Sequence, residues 1–284
     1  MRFFYNLLFL LPFVLVSCSE PEDPNALLKK EVRAIDDYLA ANTTDYIAYD
    51  ATGIRMVVHE FGEMPAPEPG QLVSASIKAT LFTTGVTFTD IHFKSKLDSI
   101  GEEGLHYSVS ALMGGSRATI YIPSQYCYGS AGTSDVPPNS IIVYEVDLRE
   151  VFRTSAQQEQ FKTDTAAIRA HLKESAIANV IEHPSGVFYT LETEGSGEKP
   201  RVYDNVTFTY SGSLLTSTTT FDAGTLTDHN VFNLIQGLRV GIPLLRRGGS
   251  VATFYIPSGL AYGTTGSGNL IPPNSILKFK ISLN

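Results

Sequence analysis

Ser250 to Phe279 reads SVATFYIPSGLAYGTTGSGNLIPPNSILKF, and it holds an apolar strand, a tyrosine, a glycine-rich loop and a proline pair in one unit. In V-A-T-F-Y-I the β-branched and aromatic residues mark a strand. Pro257 and Gly259 end it, and Asn274-Ser275 opens a second alternating run from Ile276 to Ile281. Between the two strands lies a long loop tipped by Leu270-Ile271-Pro272-Pro273. Exposing leucine and isoleucine on a loop is unfavourable, and two prolines stiffen it by fixing φ. The tip therefore reads as an apolar lip beside Tyr262, and a lip of that kind covers a pocket.

The same arrangement occurs once earlier. Ser116 to Tyr144 reads SRATIYIPSQYCYGSAGTSDVPPNSIIVY, with Y-I-P-S, Y-G, P-P-N-S-I and a closing aromatic in the same order. The repeat extends well beyond this stretch. Ala167 lies 133 positions after Ala34 (167 − 34), and Gly186, Gly195 and Phe221 follow Gly53, Gly62 and Phe88 by the same interval. The offset grows to 135 at the proline pairs, so a whole domain is duplicated with small loop changes.

Each copy opens on an amphipathic helix. Leu28, Val32, Ile35 and Leu39 share one face of Ala26 to Ala41, and Phe161, Ile168 and Leu172 recur at similar spacing between Ser155 and Glu174. After its helix each unit reads as short strand, Gly-Pro loop, long strand, irregular section, short helix, strand, glycine-rich flap and last strand. In the second copy Val187–Leu191, Val206–Tyr210, Val251–Ile256 and Ile276–Ile281 alternate well enough for one antiparallel sheet with a helix against one face. The class is α+β. The expected division is a leader over 1–18, a tether and leading helix over 19–44, a first domain over 45–151, a linker helix over 152–177 and a second domain over 178–284.

The flap and last strand resemble those of the FKBP-type peptidyl-prolyl isomerases: Tyr262-Gly263, Ile271-Pro272-Pro273 and Phe279 stand where that family has its own. Tyr210-Ser211-Gly212 stands for the family's Tyr-Thr-Gly, Phe221-Asp222 for its Phe-Asp and Leu234-Ile235 for its Val-Ile pair. Gly237-Leu238 replaces the usual Gly-Trp, so leucine is expected at the pocket floor. The resemblance implies a bent antiparallel sheet wrapped over a short helix with the pocket between them. It further implies supporting roles for Tyr210 and Asp222, a main-chain donor at Ile235, and binding of substrate by Leu234, Leu238, Leu270 and Ile271.

These residue types suit the chemistry. The X-Pro amide rotates against a barrier of about 20 kcal/mol set by resonance, and resonance is stronger in water. An apolar cup of Phe221, Ile235, Leu238 and Phe279 can hold a proline ring and dry the amide, while Tyr262 donates to a substrate carbonyl. No nucleophile, proton transfer, metal or cofactor is called for. The first copy departs from the pattern: Ile77 stands for Tyr210, Ala79 for Gly212, Thr89 for Asp222 and Gly101-Glu102 for Leu234-Ile235. It reads as weak or non-catalytic.

Composition limits the alternatives. Lys and Arg total 21 against 29 Asp and Glu, a net charge of −8, so a nucleic-acid surface is not expected. The six histidines show no metal-ligand spacing, and Gly266-Ser267-Gly268 lacks the setting of a phosphate loop. Residues 1–18 read as an export signal, with Arg2, the apolar run Leu7 to Val16 and Leu15-Val16-Ser17-Cys18. That tetrapeptide resembles the bacterial lipobox, which implies cleavage before Cys18, acylation of its thiol and, with Ser19 following, the outer rather than the inner membrane of a bacterial envelope. Cys127 would then be a lone thiol, read as a small buried residue.

Three functions fit. The first is a lipid-anchored prolyl isomerase acting on proline-containing segments of exported proteins. The second is a peptide-binding module that uses the same pockets without turnover. The third is a structural lipoprotein whose leading helices pair two chains.

Overall fold

A computed structural model describes residues 23–284; the leader and Cys18 lie outside the described residues. Helix α1 (Ala26–Asn42) precedes β1 (Tyr46–Tyr49), β2 (Arg55–Glu60), β3 (Leu72–Leu81), β4 (Thr87–Lys96), α2 (Glu103–Ala111), β5 (Arg117–Ile122) and β6 (Ile142–Phe152). Helix α3 (Ser155–Glu174) starts the second series, followed by β7 (Ile181–Glu182), β8 (Phe188–Thr193), β9 (Asn205–Leu214), β10 (Thr220–Asn230), α4 (Gln236–Gly241), β11 (Ser250–Ile256) and β12 (Leu277–Leu283). Each series forms one six-stranded antiparallel sheet, ordered β1-β2-β5-β6-β3-β4 and β7-β8-β11-β12-β9-β10, so the two topologies are the same. The fold is α+β, two such units in one chain.

Each sheet curls over its own short helix. Leu105, Val109 and Leu112 pack under the first sheet with Ile120, Ile122 and Leu148; Leu238, Val240 and Ile242 pack under the second with Phe208, Phe254 and Ile281. Burial of this continuous apolar layer is the main force that bends the sheet around the helix.

The irregular section of each unit is a strand. β4 and β10 are long edge strands whose side chains are mostly exposed, TFTDIHFKSK and TFDAGTLTDHN. An edge strand with little buried surface has no need of apolar alternation, so its period is absent from the sequence.

The leading helices are integral to the units. Ile35 and Leu39 are buried against Val57, Tyr121 and Ile141. Ile168 and Leu172 are buried against Phe188, Leu215 and Tyr255. The helix read as a linker over 152–177 therefore belongs to the second unit, started by a capping box in which Thr154 and Gln157 exchange bonds. Any pairing of two chains through α1 would have to use its other face.

Close approach of each helix depends on one glycine at φ above +90° or at it: Gly53 (φ +90°) under Val32 and Gly186 (φ +96°) under Phe161. A Cβ on Gly186 would lie 2.1 Å from the Phe161 ring. Both the positive φ and the contact exclude a side chain there.

A second device anchors the helices. The Glu31 carboxylate, buried on the inner face of α1, accepts from the Ser124 backbone N–H at 2.8 Å and its hydroxyl at 2.7 Å. Asp164 of α3 accepts from the Ser258 N–H at 2.8 Å and its hydroxyl at 2.6 Å. Each serine is the one in Tyr-Ile-Pro-Ser, where the fifth strand of the unit turns into the flap. The two units meet where Tyr203 donates to the Ala111 carbonyl at 2.8 Å and its ring lies tilted against Phe61, centroids 6.1 Å apart, and where Gln236 Nε2 donates to the Ala66 carbonyl at 3.2 Å.

Candidate functional site

In the second unit three neighbouring strands place the site in one row. Phe279 of β12 pairs with Gly212 of β9, and Gly212 pairs with Asp222 of β10. A bulge between Thr220 and Asp222 takes Phe221 out of the ladder. The Phe221 and Phe279 rings then meet edge to face, centroids 5.8 Å apart and planes at 82°, and Tyr210 lies 6.4 Å from Phe279. Gly212 makes room for them: a Cβ there would lie 2.6 Å from Phe279 Cε1 and 2.7 Å from Phe221 Cζ.

Asp222 is exposed at the rim, and the Tyr210 hydroxyl donates to its Oδ2 at 2.9 Å. That bond holds the tyrosine ring in one orientation and raises the phenol above its ordinary pKa. Ile235 occupies the position before α4, and among the described residues its backbone N–H has no acceptor. A free N–H at a helix start is a ready donor for a carbonyl. Leu238, 5% exposed, lies one turn along α4 and belongs to the same buried apolar cluster as Phe279. Leu234 stands partly buried beside it.

The flap brings Tyr262 near Tyr210. Tyr262 is 36% exposed. The two tip residues part company: Leu270 is 64% exposed, whereas Ile271 is 5% exposed and packs into the core. Ser267 and Ile271 exchange backbone hydrogen bonds of 2.8 and 3.1 Å, which turns Ile271 inward. The expected lip of two residues is thus one exposed residue, Leu270, over one wall residue, Ile271.

The family model described as FKBP-type peptidyl-prolyl cis-trans isomerase matches residues 64–149 and 196–284. The chain belongs to the FKBP family. Two relatives are 37% and 30% identical: the probable FKBP-type isomerase FkpA of Neisseria meningitidis serogroup B over 44% of this chain and 48% of that protein, and FkpA of Aeromonas hydrophila over 49% and 53%. The chain thus spans about half the length of each. The outer membrane protein MIP of Legionella longbeachae is 27% identical over 75% of this chain and 96% of its own length.

Both FKBP units keep the frame, and the ladder confirms their correspondence. Ala79 pairs with Thr89 and with Tyr144, as Gly212 pairs with Asp222 and Phe279. Glu102 precedes α2 as Ile235 precedes α4. The first pocket closes on itself: the Tyr128 hydroxyl, at the place of Tyr262, donates to Glu102 Oε1 at 2.8 Å, and Phe88 meets Tyr128 edge to face at 6.1 Å. Burial pushes the neighbouring Cys127 thiol up to about 12, so this cysteine is held as an unreactive thiol.

Sequence reasoning missed a cavity of about 520 Å³ between the FKBP units, which shares only Tyr262 with the residues named for the cup. Met64 to Ala66, Glu68, Gln157, Phe161, Gln236 and Pro257 to Thr265 line it, Tyr262 included. Burial raises the Glu68 carboxyl above its usual range, against the hydrogen bond from Gln236. The residues come from four distant stretches, so no local pattern announces them. Glu31 and Asp164 were also missed, although their equal place in the two copies, 133 positions apart (164 − 31), was a usable signal.

Proposed function

We propose that this chain is a peptidyl-prolyl cis-trans isomerase that works through its second unit on proline-containing segments of exported proteins, held at a bacterial membrane by acyl chains on Cys18. The observation that carries the reading is the second cup: Phe221 and Phe279 edge to face, Leu238 beneath, and the Tyr210–Asp222 pair at the rim. A proline ring fits against Phe221, Phe279 and Leu238, and the Ile235 N–H takes one carbonyl. Tyr262 takes another. Drying the amide weakens its resonance, and groups that fit the twisted amide better than either planar form lower the barrier. The rate gain comes from position and desolvation, with no proton moved.

Steady-state isomerisation of a short X-Pro peptide tests the reading. Residues 155–284 are expected to match the intact chain, and residues 26–151 to fall at least about tenfold below it, since an unfilled polar role and a carboxylate at the place of Ile235 together amount to more than 1.4 kcal/mol. Equal rates from the two halves would reverse the assignment. Peptide binding by the intact chain without isomerisation would favour the second reading, a holding module, which the cavity beside Tyr262 supports because it extends the apolar surface beyond the cup.

The anchor rests on Leu15-Val16-Ser17-Cys18 and on a relative named as an outer membrane protein. Among the described residues no helix is long and apolar enough to cross a membrane. Cys18→Ala is therefore expected to leave the membrane fraction for the soluble one on cell fractionation. A variant that still sediments with membranes removes the lipid anchor from the proposal.

A further inference from the structure

The cavity where the two units meet has a volume of about 520 Å³, inside the range of roughly 300 to 1,000 Å³ that ligand sites occupy. It adjoins the second cup at two points. Tyr262 belongs to both, and Gln236 on the cavity wall directly follows Ile235, whose N–H has no acceptor. The opposite wall comes from the first unit, through Met64, Pro65, Ala66, Glu68 and Val151. The cavity is therefore complete only when both units are present.

The lining has a definite chemistry. Five carboxamides, Gln71, Gln157, Gln160, Gln236 and Asn274, stand on it with one guanidinium, Arg153, and one carboxylate, Glu68. The two charges cancel, and among the described residues neither has an ion-pair partner. Glu68 accepts from Gln157 at 3.0 Å and Gln236 at 3.3 Å, so its oxygens are served. Arg153 is not. Its Cζ lies 3.7 Å from the centre of the Phe161 ring, and one of its five N–H donors is used, by the Ser185 carbonyl at 2.8 Å. Burial holds its pKa below the ordinary arginine value. A half-buried guanidinium with unused donors is unfavourable unless acceptors come to it. On the flap side the N–H groups of Tyr262, Thr264 and Thr265 and the carbonyls of Ala261 and Thr264 have no main-chain partner among the described residues. Carboxamides and free peptide groups match the donors and acceptors of a polypeptide main chain, and a lining without net charge gives no preference to a charged side chain.

We propose that this cavity is a second binding stretch for the client polypeptide whose proline occupies the second cup, and that it holds the main chain flanking that proline. The inference rests on the isomerase reading of the cup and adds the first unit to the site. Chain that leaves the cup past Tyr262 enters the cavity. There Arg153 donates to main-chain carbonyls, the carboxamides pair with peptide groups in both senses, and Met64, Phe161 and Leu260 offer apolar contact to side chains of many kinds. The first unit contributes a wall, independently of its own pocket. Affinity then grows with the length of the client, while the barrier to rotation, set in the cup, stays the same: KM falls and kcat holds.

The test compares, on residues 19–284, a tetrapeptide with a central X-Pro bond and a dodecapeptide with the same bond at its centre and only alanine and serine elsewhere, each competing against a labelled dodecapeptide. The dodecapeptide is expected to bind at least about tenfold tighter and to be isomerised with a KM lower by the same factor at equal kcat. Ala156→Trp sets a ring into the cavity from an exposed place on α3. It should bring the dodecapeptide to within about twofold of the tetrapeptide and leave tetrapeptide turnover unchanged. Arg153→Met keeps a stem over Phe161, loses the donors, and should weaken the dodecapeptide alone several-fold. A benzophenone side chain placed three residues before the proline in one dodecapeptide and three after it in another should, in one of the two, cross-link to the first unit between Met64 and Gln71. Equal affinity for the two peptide lengths, an undiminished length advantage in Ala156→Trp, or cross-links confined to the second unit overturns the proposal. A persisting length advantage without turnover of the tetrapeptide would remove the isomerase reading and keep the cavity as a polypeptide site.

Discussion

Asp164→Ala is expected to loosen the second unit by roughly 3 to 5 kcal/mol while the first unit keeps its stability. Asp164 is 2% exposed, and one carboxylate oxygen accepts both the backbone N–H and the hydroxyl of Ser258. Its other oxygen accepts from Gln160 at 2.8 Å. Removing the acceptor strands two buried donors at the turn where β11 leaves the sheet and the flap begins. It also releases α3, whose Ile168 and Leu172 cover the outer side of the same sheet. A domain of this size has on the order of 5 to 15 kcal/mol in total, so the loss is a large share. Hydrogen exchange read by mass spectrometry resolves the two units. Exchange in β11 and β12 should quicken about a hundredfold or more, with β5 and β6 unchanged. Glu31→Ala should give the mirror result through Ser124. Should both units loosen equally in either variant, the carboxylates do not clamp their units separately.

That clamp shows where the sequence is legible and where it is not. The Tyr-Ile-Pro-Ser turn, the flap and both leading helices follow from strong local signals: β-branched runs, paired prolines and apolar residues at helical spacing. Their bounds agree with the structure to within about two residues. Tyr210, Phe221, Asp222 and Phe279 come together as their order implies, because a fixed ladder register carries Gly212 between Asp222 and Phe279. What escaped has no local period. β10 is an exposed edge strand, a single acid on a helix reads as surface, and the direction of Ile271 depends on a backbone bridge to Ser267. The contacts of Tyr203 and Gln236 with the first unit join stretches about 90 and 170 positions apart, so only packing reveals them.

Gly212→Ala is expected to lower kcat/KM for an X-Pro peptide about tenfold or more while the chain stays folded. The added methyl group would lie 2.6 Å from Phe279 Cε1 and 2.7 Å from Phe221 Cζ, well inside ordinary contact, so both rings must retreat by the better part of an ångström. They are the two walls that, in the proposed mechanism, grip the proline ring. Overpacking of this kind costs on the order of 1 to 3 kcal/mol, and where the displaced groups are the site itself, the loss falls on transition-state binding. At 1.4 kcal/mol per factor of ten, the lower half of that range already gives about tenfold. The first unit is the natural precedent: Ala79 stands at this place, and there Phe88 rests against Tyr128 of the flap. Alanine is therefore compatible with the fold and incompatible with the open cup. The converse change, Ala79→Gly, should not restore activity to the first unit, because Glu102, Thr89 and Ile77 still replace the amide-flanking isoleucine and the Tyr–Asp pair. A folded Gly212→Ala protein with unchanged kcat/KM would show that Phe221 and Phe279 do not hold the reacting proline.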